Sequence, residues 1–399
     1  MSTAFLPGNQ IALLRSGAEY FPSLIAAING AKSHVRFETY IFADDETGRA
    51  VTAAMIAAVT RGVEVRLVID GFGCKDHIGS LQNTLQLAGV DVAVFRPERN
   101  PFAFRKSRLR RMHRKLVVVD DRVAFVGGIN VIDDLNMPPV EANEKPYGPR
   151  FDFAVRIEGA LIAPISLSMR ILWKRLMRRR RSETLPLKSA VQHAASTTDS
   201  ASDLTNEKSQ LAAFIQRDNL LHRRDIEVQY LQAINSATQH ITIANAYFFP
   251  GRAFHRALAA ARRRGVRVQL LLQGRQEYFL QHYASRALYP SLLRTGIEIH
   301  EYKDSFLHAK VAAVDEDWAT VGSSNIDPFS LLLAREANVF VRDAAFNAEL
   351  RGALAAAIDG AVMVHSKRWS KRPWLDKLLT SVAYQIARGL MRVLGYGNR

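Results

Sequence analysis

The chain carries one pattern twice, and this repeat constrains its fold more than any other feature. Residues 113–130 read HRKLVVVDDRVAFVGGIN and residues 308–325 read HAKVAAVDEDWATVGSSN, so both follow His-x-Lys-x4-Asp-x6-Gly-x2-Asn without an insertion. Upstream segments match in the same order, because AINGAKSHVRFETYIF at 27–42 corresponds to AINSATQHITIANAYFF at 233–249. Self-similarity of this extent indicates a duplicated domain.

The alternation within each copy predicts the fold class. Short β-branched runs alternate with helix-length stretches, which is typical of an α/β unit whose sheet is covered by helices on both faces. We therefore predict two α/β/α sandwich lobes, over 1–181 and 211–366, related by a pseudo-twofold axis with the active site at their interface. Residues 182–210 are rich in Ser, Thr, Ala and Asp and lack an apolar period, so we expect a flexible linker there.

The C-terminal stretch 367–399 has a different pattern. Basic residues precede a segment whose apolar side chains recur at helical spacing, namely Leu375, Leu378, Leu379, Val382, Ile386, Leu390 and Leu394. A basic amphipathic helix can lie in a membrane surface or pack against the second lobe. The sequence favours the membrane surface and leaves the other interpretation open.

The chain is strongly basic. Its 54 Lys and Arg residues exceed 38 Asp and Glu residues, which gives a net charge of +16 over 399 residues. Such a charge attracts polyanions, either nucleic acid or anionic lipid headgroups. Basic clusters over 99–115 and 170–181 contain no acidic residue, and the second is interleaved with apolar residues, which favours a lipid surface over nucleic acid.

Cysteine content and hydropathy indicate the compartment of the protein and its relation to a membrane. Cys74 is the only cysteine, so an intrachain disulfide and a cysteine-based metal cluster are excluded and a reducing compartment is favoured. No segment reaches the roughly 18–20 apolar residues of a membrane-spanning helix. We expect a peripheral protein on the cytoplasmic side of the inner membrane.

The twin motif places its functional groups by strand geometry. Side chains at i and i+2 of a strand lie on one face, so His113 with Lys115, and His308 with Lys310, each present an imidazole and an ammonium to the same space. Asp120 and Asp315 complete the motifs and enter the candidate catalytic set with them. Because each lies seven residues after its histidine, an odd number, we expect both aspartates to point away and to be structural.

This set of groups suits a reaction at a phosphodiester. The two lysines, with Asn130 and Asn325, can hold phosphate oxygens and balance the charge that moves in the transition state. One neutral imidazole can attack phosphorus while the other, protonated, gives its proton to the departing alkoxide. A histidine pKa of about 6.5 allows both forms near neutral pH. Water as acceptor gives hydrolysis and an alcohol gives transfer.

Two further residues are given a role because of their positions after the motifs. Asp152 and Glu336 occupy matching places after the motifs and are candidates to orient the imidazoles. Zinc is not expected, since carboxylates and cysteines are not at ligand spacing. His34 and His240 also match between the copies, but we expect them to be structural.

The two motifs, with the surrounding text ETYIFADDETG, NAYFFPG and GSSNIDPFSL, resemble the phospholipase D superfamily and, within it, the bacterial cardiolipin synthases of the B type. The resemblance covers roughly residues 8–366. It implies transfer of a phosphatidyl group between two phosphatidylglycerol molecules through a phosphatidyl-histidine, with glycerol released and no cofactor. It also implies His113 as nucleophile, His308 as acid and base, and Ser323 as a phosphate ligand, a hydroxyl that Gly128 lacks.

Three alternatives remain at this point. The same chemistry would serve a hydrolase or transphosphatidylase of other phospholipids, or a nuclease, whose polyanionic substrate the basic clusters would also attract. A non-catalytic scaffold would keep the fold without turnover, although two intact motifs argue against it. The sequence does not distinguish the two histidines by itself, nor does it predict an oligomeric state.

Overall fold

The structure is a computed structural model that describes residues 4–97, 110–137, 147–183, 209–218, 222–327 and 334–393. The first lobe consists of β1 (Leu6–Arg15), α1 (Ser16–Asn29), β2 (His34–Thr39), α2 (Glu46–Thr60), β3 (Glu64–Asp70), α3 (Ile78–Leu87), β4 (Asp91–Phe95), β5 (Lys115–Val119), β6 (Val123–Gly127), β7 (Phe153–Gly159) and α4 (Ile162–Glu183).

The second lobe repeats this order and adds elements at its end. It consists of β8 (Gln210–Arg217), α5 (Asp225–Ser236), β9 (His240–Asn245), α6 (Arg252–Arg263), β10 (Arg267–Gln273), α7 (Phe279–Arg286), α8 (Tyr289–Arg294), β11 (Glu298–Tyr302), β12 (Lys310–Val314), β13 (Trp318–Gly322), β14 (Glu336–Arg342) and α9 (Ala344–Asp359). β15 (Val362–Met363), α10 (Ser366–Ser370) and α11 (Trp374–Val393) follow.

The strands form one mixed sheet in which the duplication is explicit. The order in the first lobe is β1-β7-β6-β5-β2-β3-β4, and the second lobe repeats it as β8-β14-β13-β12-β9-β10-β11. β1 and β8 pair antiparallel, with Asn9 opposite Gln210, and so join the two halves. The duplicated α/β fold is confirmed, with one difference: the two sheets are continuous rather than separate.

Apolar packing fixes the two lobes against each other. One cluster of buried residues contains Leu116 and Val155 from the first lobe together with Val311 and Val339 from the second. Separate clusters lie beneath α1 and α2 in the first lobe and beneath α5 and α6 in the second. Because burying apolar surface is the main favourable term in folding, the shared cluster holds both motifs in a fixed relation.

The motif aspartates stabilise turns at the far ends of their strands. Asp120 accepts hydrogen bonds from the backbone N–H groups of Lys32, Ser33 and His34 at 2.8–2.9 Å. Asp315 accepts from the backbone of Thr238, Gln239 and His240 at 2.8–3.0 Å. These contacts lie away from the His-Lys pairs, so the two aspartates do not belong in a catalytic set, as their odd spacing from the histidines predicted.

The two matched histidines at the strand starts also have local partners. Nε2 of His34 lies 3.4 Å from an Asp121 carboxylate oxygen, and Nε2 of His240 lies 2.6 Å from the Arg351 guanidinium. Both are therefore placed in packing and turn contacts rather than in the site.

α4 clarifies the basic cluster over 170–181. Its apolar Leu172 is buried against Val68 and Phe95, whereas Arg170 and Lys174 are exposed. The interleaving of apolar and basic residues thus reflects an ordinary helix with one face in the core. The helix ends at Glu183, just past the predicted lobe boundary. Residues 184–208 of the predicted 182–210 linker, and most of the 99–115 cluster, lie outside the described residues.

α11 packs on the second lobe but turns its large apolar side chains outward. Its small residues Ala383 and Ala387 are buried, the latter beside Ala284 of α7. Trp374, Leu378 and Ile386 remain 70%, 50% and 49% exposed. The interpretation that this helix packs on the second lobe is correct for its buried face, and the membrane interpretation stays a prediction for its outward face. Leu390 and Leu394 lie outside what the structure describes of side chains. No helix among the described residues is both long and apolar enough to cross a membrane.

Candidate active site

Each motif is held by a backbone contact with the opposite lobe. The N–H of His113 donates to the carbonyl of Arg335 at 3.0 Å, just before β14. The pseudo-symmetric contact runs from the N–H of His308 to the carbonyl of Phe151 at 2.8 Å, just before β7. The strand that opens with each candidate carboxylate is therefore placed beside the histidine of the other lobe.

The carboxylates reach across the interface to the imidazoles. Nδ1 of His113 lies 3.0 Å from Oε1 of Glu336, and Nδ1 of His308 lies 2.6 Å from Oδ2 of Asp152. Both carboxylates are almost fully buried. A carboxylate at Nδ1 fixes the imidazole's orientation and tautomer and leaves Nε2 as the ring atom that can react. The predicted orienting contacts are present, and each is made between lobes.

The two halves achieve this contact with different side chains. Oγ of Ser323 donates to Oε2 of Glu336 at 2.5 Å, so this hydroxyl positions the carboxylate. At the matching place, a Cβ on Gly128 would lie 2.3 Å from Oδ1 of Asp152. The shorter aspartate occupies the space that the serine side chain fills in the other half. The glycine is thus a steric requirement of Asp152, and Ser323 has a role beside the predicted one toward phosphate.

The two lysines are buried together at the centre of the site. Nζ of Lys115 donates to the carbonyl of His113 at 2.7 Å, and Nζ of Lys310 donates to the carbonyl of His308. Burial and the neighbouring Lys310 ammonium lower the pKa of Lys115 to about 7. Burial likewise lowers the pKa of Lys310 to about 8. Two buried lysines side by side favour binding of an anion, because a negative charge near them would stabilise their protonated forms.

The imidazoles are also shifted toward their neutral forms. Burial lowers the pKa of His113, against the opposing effect of Glu336. Burial, followed by the charges of Lys310 and Lys115, lowers the pKa of His308 well below its ordinary value, and His113 contributes to that shift. Burial raises the pKa of Asp152 to about 6. These shifts show that burial disfavours charge on the imidazoles and on Asp152, and that the lysines beside His308 disfavour its protonated form further.

The candidate amides lie beside this centre. Asn130 and Asn325 are buried, and Oδ1 of Asn130 accepts a hydrogen bond from the N–H of Ile41 at 3.1 Å. That contact leaves the amide's NH₂ group as the part that can serve a phosphate oxygen. Within the described ranges, no cluster of three or more His, Cys, Asp or Glu side chains is arranged to hold a metal ion.

Sequence reasoning missed two neighbours of the imidazoles. The ring of Tyr40 meets the ring of His113 edge-on at 4.9 Å, and Nζ of Lys115 lies 5.6 Å from the centre of the same tyrosine ring. Arg150 is close enough to lower the pKa of His308 through its charge. Tyr40 directly follows β2, a strand adjacent to β5 in the sheet, and this pairing, which the sequence does not show, brings it to His113.

Comparisons with known proteins agree with this geometry. A family model described as "Cardiolipin synthase, PLD-like domain" matches residues 24–138 and 230–357. Cardiolipin synthase B of Escherichia coli strain K12 is 36% identical over 399 residues, covering 99% of this chain and 92% of that protein. Probable cardiolipin synthase YwiE of Bacillus subtilis is 31% identical over 343 residues, covering 84% of this chain and 63% of that protein.

A solved structure shares the whole architecture. Phosphatidylserine synthase from Haemophilus influenzae Rd KW20 aligns with a TM-score of 0.68 over 99% of this chain and 97% of its own, at 14% identity. At that identity the likeness shows the fold alone, and it includes both lobes.

Proposed function

The chain belongs to the cardiolipin synthase family of phospholipase D-like proteins, and from that premise we propose that it forms cardiolipin from two phosphatidylglycerol molecules with release of glycerol. The observation that carries the proposal is the pair of Nδ1–carboxylate contacts made between lobes. They leave both Nε2 atoms free to react beside two buried lysines, and the charge of His113 acts on His308, which supports one shared centre. Such a centre fits a single phosphodiester.

In the first step Nε2 of His113 attacks the phosphorus of phosphatidylglycerol. The N–P bond forms as the bond from phosphorus to the glycerol oxygen breaks, and His308 gives that oxygen its Nε2 proton. Burial lowers the pKa of His113 and so favours the neutral imidazole that can attack. The bound phosphate is an anion beside His308 and favours its protonated form, so substrate binding charges the acid.

In the second step the hydroxyl of another phosphatidylglycerol replaces glycerol. Nε2 of His308, now neutral, takes the hydroxyl proton, the oxygen bonds to phosphorus, and the N–P bond breaks. Lys115 and Lys310 balance the phosphate's charge throughout, with Asn130 and Asn325 as further donors around the oxygens, while the Ser323 hydroxyl supports Glu336. Water in place of the alcohol would give phosphatidic acid.

We place the protein on the cytoplasmic side of the inner membrane through α11. Its outward apolar side chains include Trp374 and Leu378, and Lys377 and Arg388 lie on the same helix. Burial of one such apolar side chain contributes about 1.5–3 kcal/mol, and each basic residue near an anionic surface about 1 kcal/mol. α11 packs on α7, which begins directly after the exposed Tyr278.

The experiment is lipid mass spectrometry of purified protein incubated with phosphatidylglycerol vesicles. Wild type should accumulate a four-chain lipid and glycerol, and His113→Ala and His308→Ala should abolish both products. His222→Ala, which changes a partly exposed histidine outside the site, is the control and should retain activity. Release of phosphatidic acid alone would assign a hydrolase, and cleavage of single-stranded DNA with no lipid product would assign a nuclease.

A further inference from the structure

Arg150 is a further cation beside the reaction centre, without a role in the two transfer steps. It lies two residues before Asp152, whose carboxylate contacts Nδ1 of His308 at 2.6 Å. The short segment around Phe151 runs alongside the second motif, because its N–H donates to the carbonyl of Phe306 at 3.0 Å and its carbonyl accepts from the N–H of His308 at 2.8 Å. Side chains two residues apart on an extended segment lie on one face, so Arg150 shares the face of Asp152.

The guanidinium of Arg150 has few partners of its own. Its side chain is only 14% exposed, and Nη2 donates to the carbonyl of Asn136 at 3.2 Å. Nε is buried, and no described residue places an acceptor within hydrogen-bond distance of it. The Glu277 carboxylate lies 4.0 Å from Nη1 and accepts instead from the Tyr247 hydroxyl at 2.6 Å. A buried donor without an acceptor is rare and indicates a missing partner.

The charges around Arg150 leave room for an anion. Arg275 lines the same pocket as Glu277, so two guanidinium groups stand against one carboxylate there. After burial, the charge of Arg150 is one of the causes that lower the pKa values of His308 and Lys310. Arg150 therefore lies within electrostatic range of the second motif, and an anion bound to it would also be stabilised by these neighbours.

The matching place in the other half holds no cation. Ala334 stands two residues before Glu336, as Arg150 stands two residues before Asp152. The backbone contact is the same in both halves, since the carbonyl of Arg335 accepts from the N–H of His113 at 3.0 Å. The two sides of the reaction centre therefore differ at this position, and the arginine belongs to the His308 side.

The proposed reaction brings a second phosphate to this side. The acceptor phosphatidylglycerol presents a hydroxyl to Nε2 of His308, and the three carbons of its glycerol separate that hydroxyl from its own phosphate. A guanidinium matches phosphate oxygens with paired N–H donors. We propose that Arg150 binds the phosphate of the acceptor lipid and so selects an anionic alcohol over neutral alcohols and water. This assignment rests on the proposed function and adds to it the residue that recognises the acceptor.

Two acceptors in one reaction separate this role from a general effect on catalysis. Purified enzyme is incubated with phosphatidylglycerol vesicles and labelled glycerol, and mass spectrometry follows cardiolipin together with labelled phosphatidylglycerol. Arg150→Gln should lower the ratio of cardiolipin formation to glycerol exchange at least tenfold, and Arg150→Lys, which keeps the charge, should lower it less. Displacement of Asp152 or His308 would slow both reactions alike and leave the ratio in place. An unchanged ratio in Arg150→Gln would overturn the assignment.

Arg122→Gln is the matched control. It removes the same charge at an exposed position in the β5–β6 turn, at the opposite strand ends from the His-Lys pair, and should keep the wild-type ratio. An equal fall in Arg122→Gln and Arg150→Gln would show that net charge at the vesicle surface sets the ratio, which would also overturn the assignment.

A binding measurement tests the same residue without turnover. Glycerol bisphosphate, with phosphates on its two end carbons, can occupy both the lysine pair and Arg150, whereas glycerol phosphate can occupy one of them. By calorimetry on the full chain, wild type should bind the bisphosphate at least tenfold more tightly, and Arg150→Gln should lose most of that preference. An equal preference in both proteins would contradict a second phosphate site. If wild type formed no cardiolipin, the proposed function would fail, while this measurement would still decide whether Arg150 binds phosphate.

Discussion

Glu336 of the second lobe lies 3.0 Å from Nδ1 of His113 in the first lobe. Asp152 and His308 make the reciprocal contact at 2.6 Å. Each lobe thus supplies a histidine that only the other lobe can orient. Neither half of the duplication contains a complete acid-base set, and the continuous sheet and shared core are what bring the two sets together.

The first prediction concerns these carboxylates. Glu336→Gln and Asp152→Asn keep size and shape but remove the charge that fixes the imidazole's tautomer, so kcat should fall about 10²- to 10⁴-fold. Steady-state kinetics on phosphatidylglycerol vesicles measures this, with circular dichroism to confirm the fold. Loss of less than threefold in both variants would show that the contacts do not orient the reacting groups.

The second prediction uses the difference between Gly128 and Ser323. Gly128→Ser would place a Cβ within 2.3 Å of the Asp152 carboxylate and must displace it, so activity should fall at least 100-fold. Ser323→Ala removes one hydrogen bond to Glu336, worth about 1–2 kcal/mol, and should lower kcat about tenfold. Comparing the kcat values of the two variants separates displacement of the Asp152 carboxylate from loss of the hydrogen bond to Glu336. A Gly128→Ser enzyme with wild-type activity would contradict the steric argument.

The third prediction concerns pH. Lys115 and Lys310, with pKa values lowered by burial to about 7 and about 8, lose their charge as pH rises through that range. kcat/KM should therefore fall on the alkaline side from about pH 7–8. Bound phosphate raises both lysine pKa values, so the limb in kcat should lie at higher pH. The acid limb should lie below pH 6.5, because burial lowers the pKa of His113.

Lys115→Arg identifies the group behind the alkaline limb. Because Lys115 has the lower pKa, about 7, it loses its charge first, whereas a guanidinium stays charged throughout the accessible range. The limb in kcat/KM should therefore move upward by about one pH unit, toward the pKa of Lys310 at about 8, even if the maximum rate is lower. A limb that stays in place would assign it to another group.

The fourth prediction concerns membrane docking by α11. Leu378→Asp puts a charge in the outward apolar stripe and should weaken binding to phosphatidylglycerol vesicles at least tenfold, measured by co-sedimentation. Ser381→Asp adds the same charge at an exposed polar position of the same helix and should bind much more tightly than Leu378→Asp. Equal loss in both variants would indicate general charge repulsion in place of insertion of the stripe.

The duplication could be read from the sequence because its strands and motifs keep their spacing. The alternation of strand side chains also predicted that His113 and Lys115 share a face and that Asp120 points elsewhere. These are local relations, fixed by backbone geometry over a few residues.

Contacts between the lobes could not be predicted from local spacing along the chain. The reach of Asp152 to the other lobe's histidine depends on β1 pairing with β8 and on a shared core. The sequence also did not show which differences between the two copies are structurally linked. Arg114 is fully buried and donates to the Glu38 carboxylate at 2.6 Å, whereas Ala309 and Ala244 stand at the matching places in the second lobe. Only three-dimensional contacts show that these substitutions come in pairs.

The most direct test of the shared reaction centre is to locate the covalent intermediate. Wild type would be mixed with phosphatidylglycerol carrying a labelled phosphate, quenched in base within milliseconds, digested and sequenced by mass spectrometry. The account predicts phosphatidyl label on the peptide containing His113 and none on the peptide containing His308. Label on His308, or turnover to cardiolipin in a His113→Ala enzyme, would contradict it.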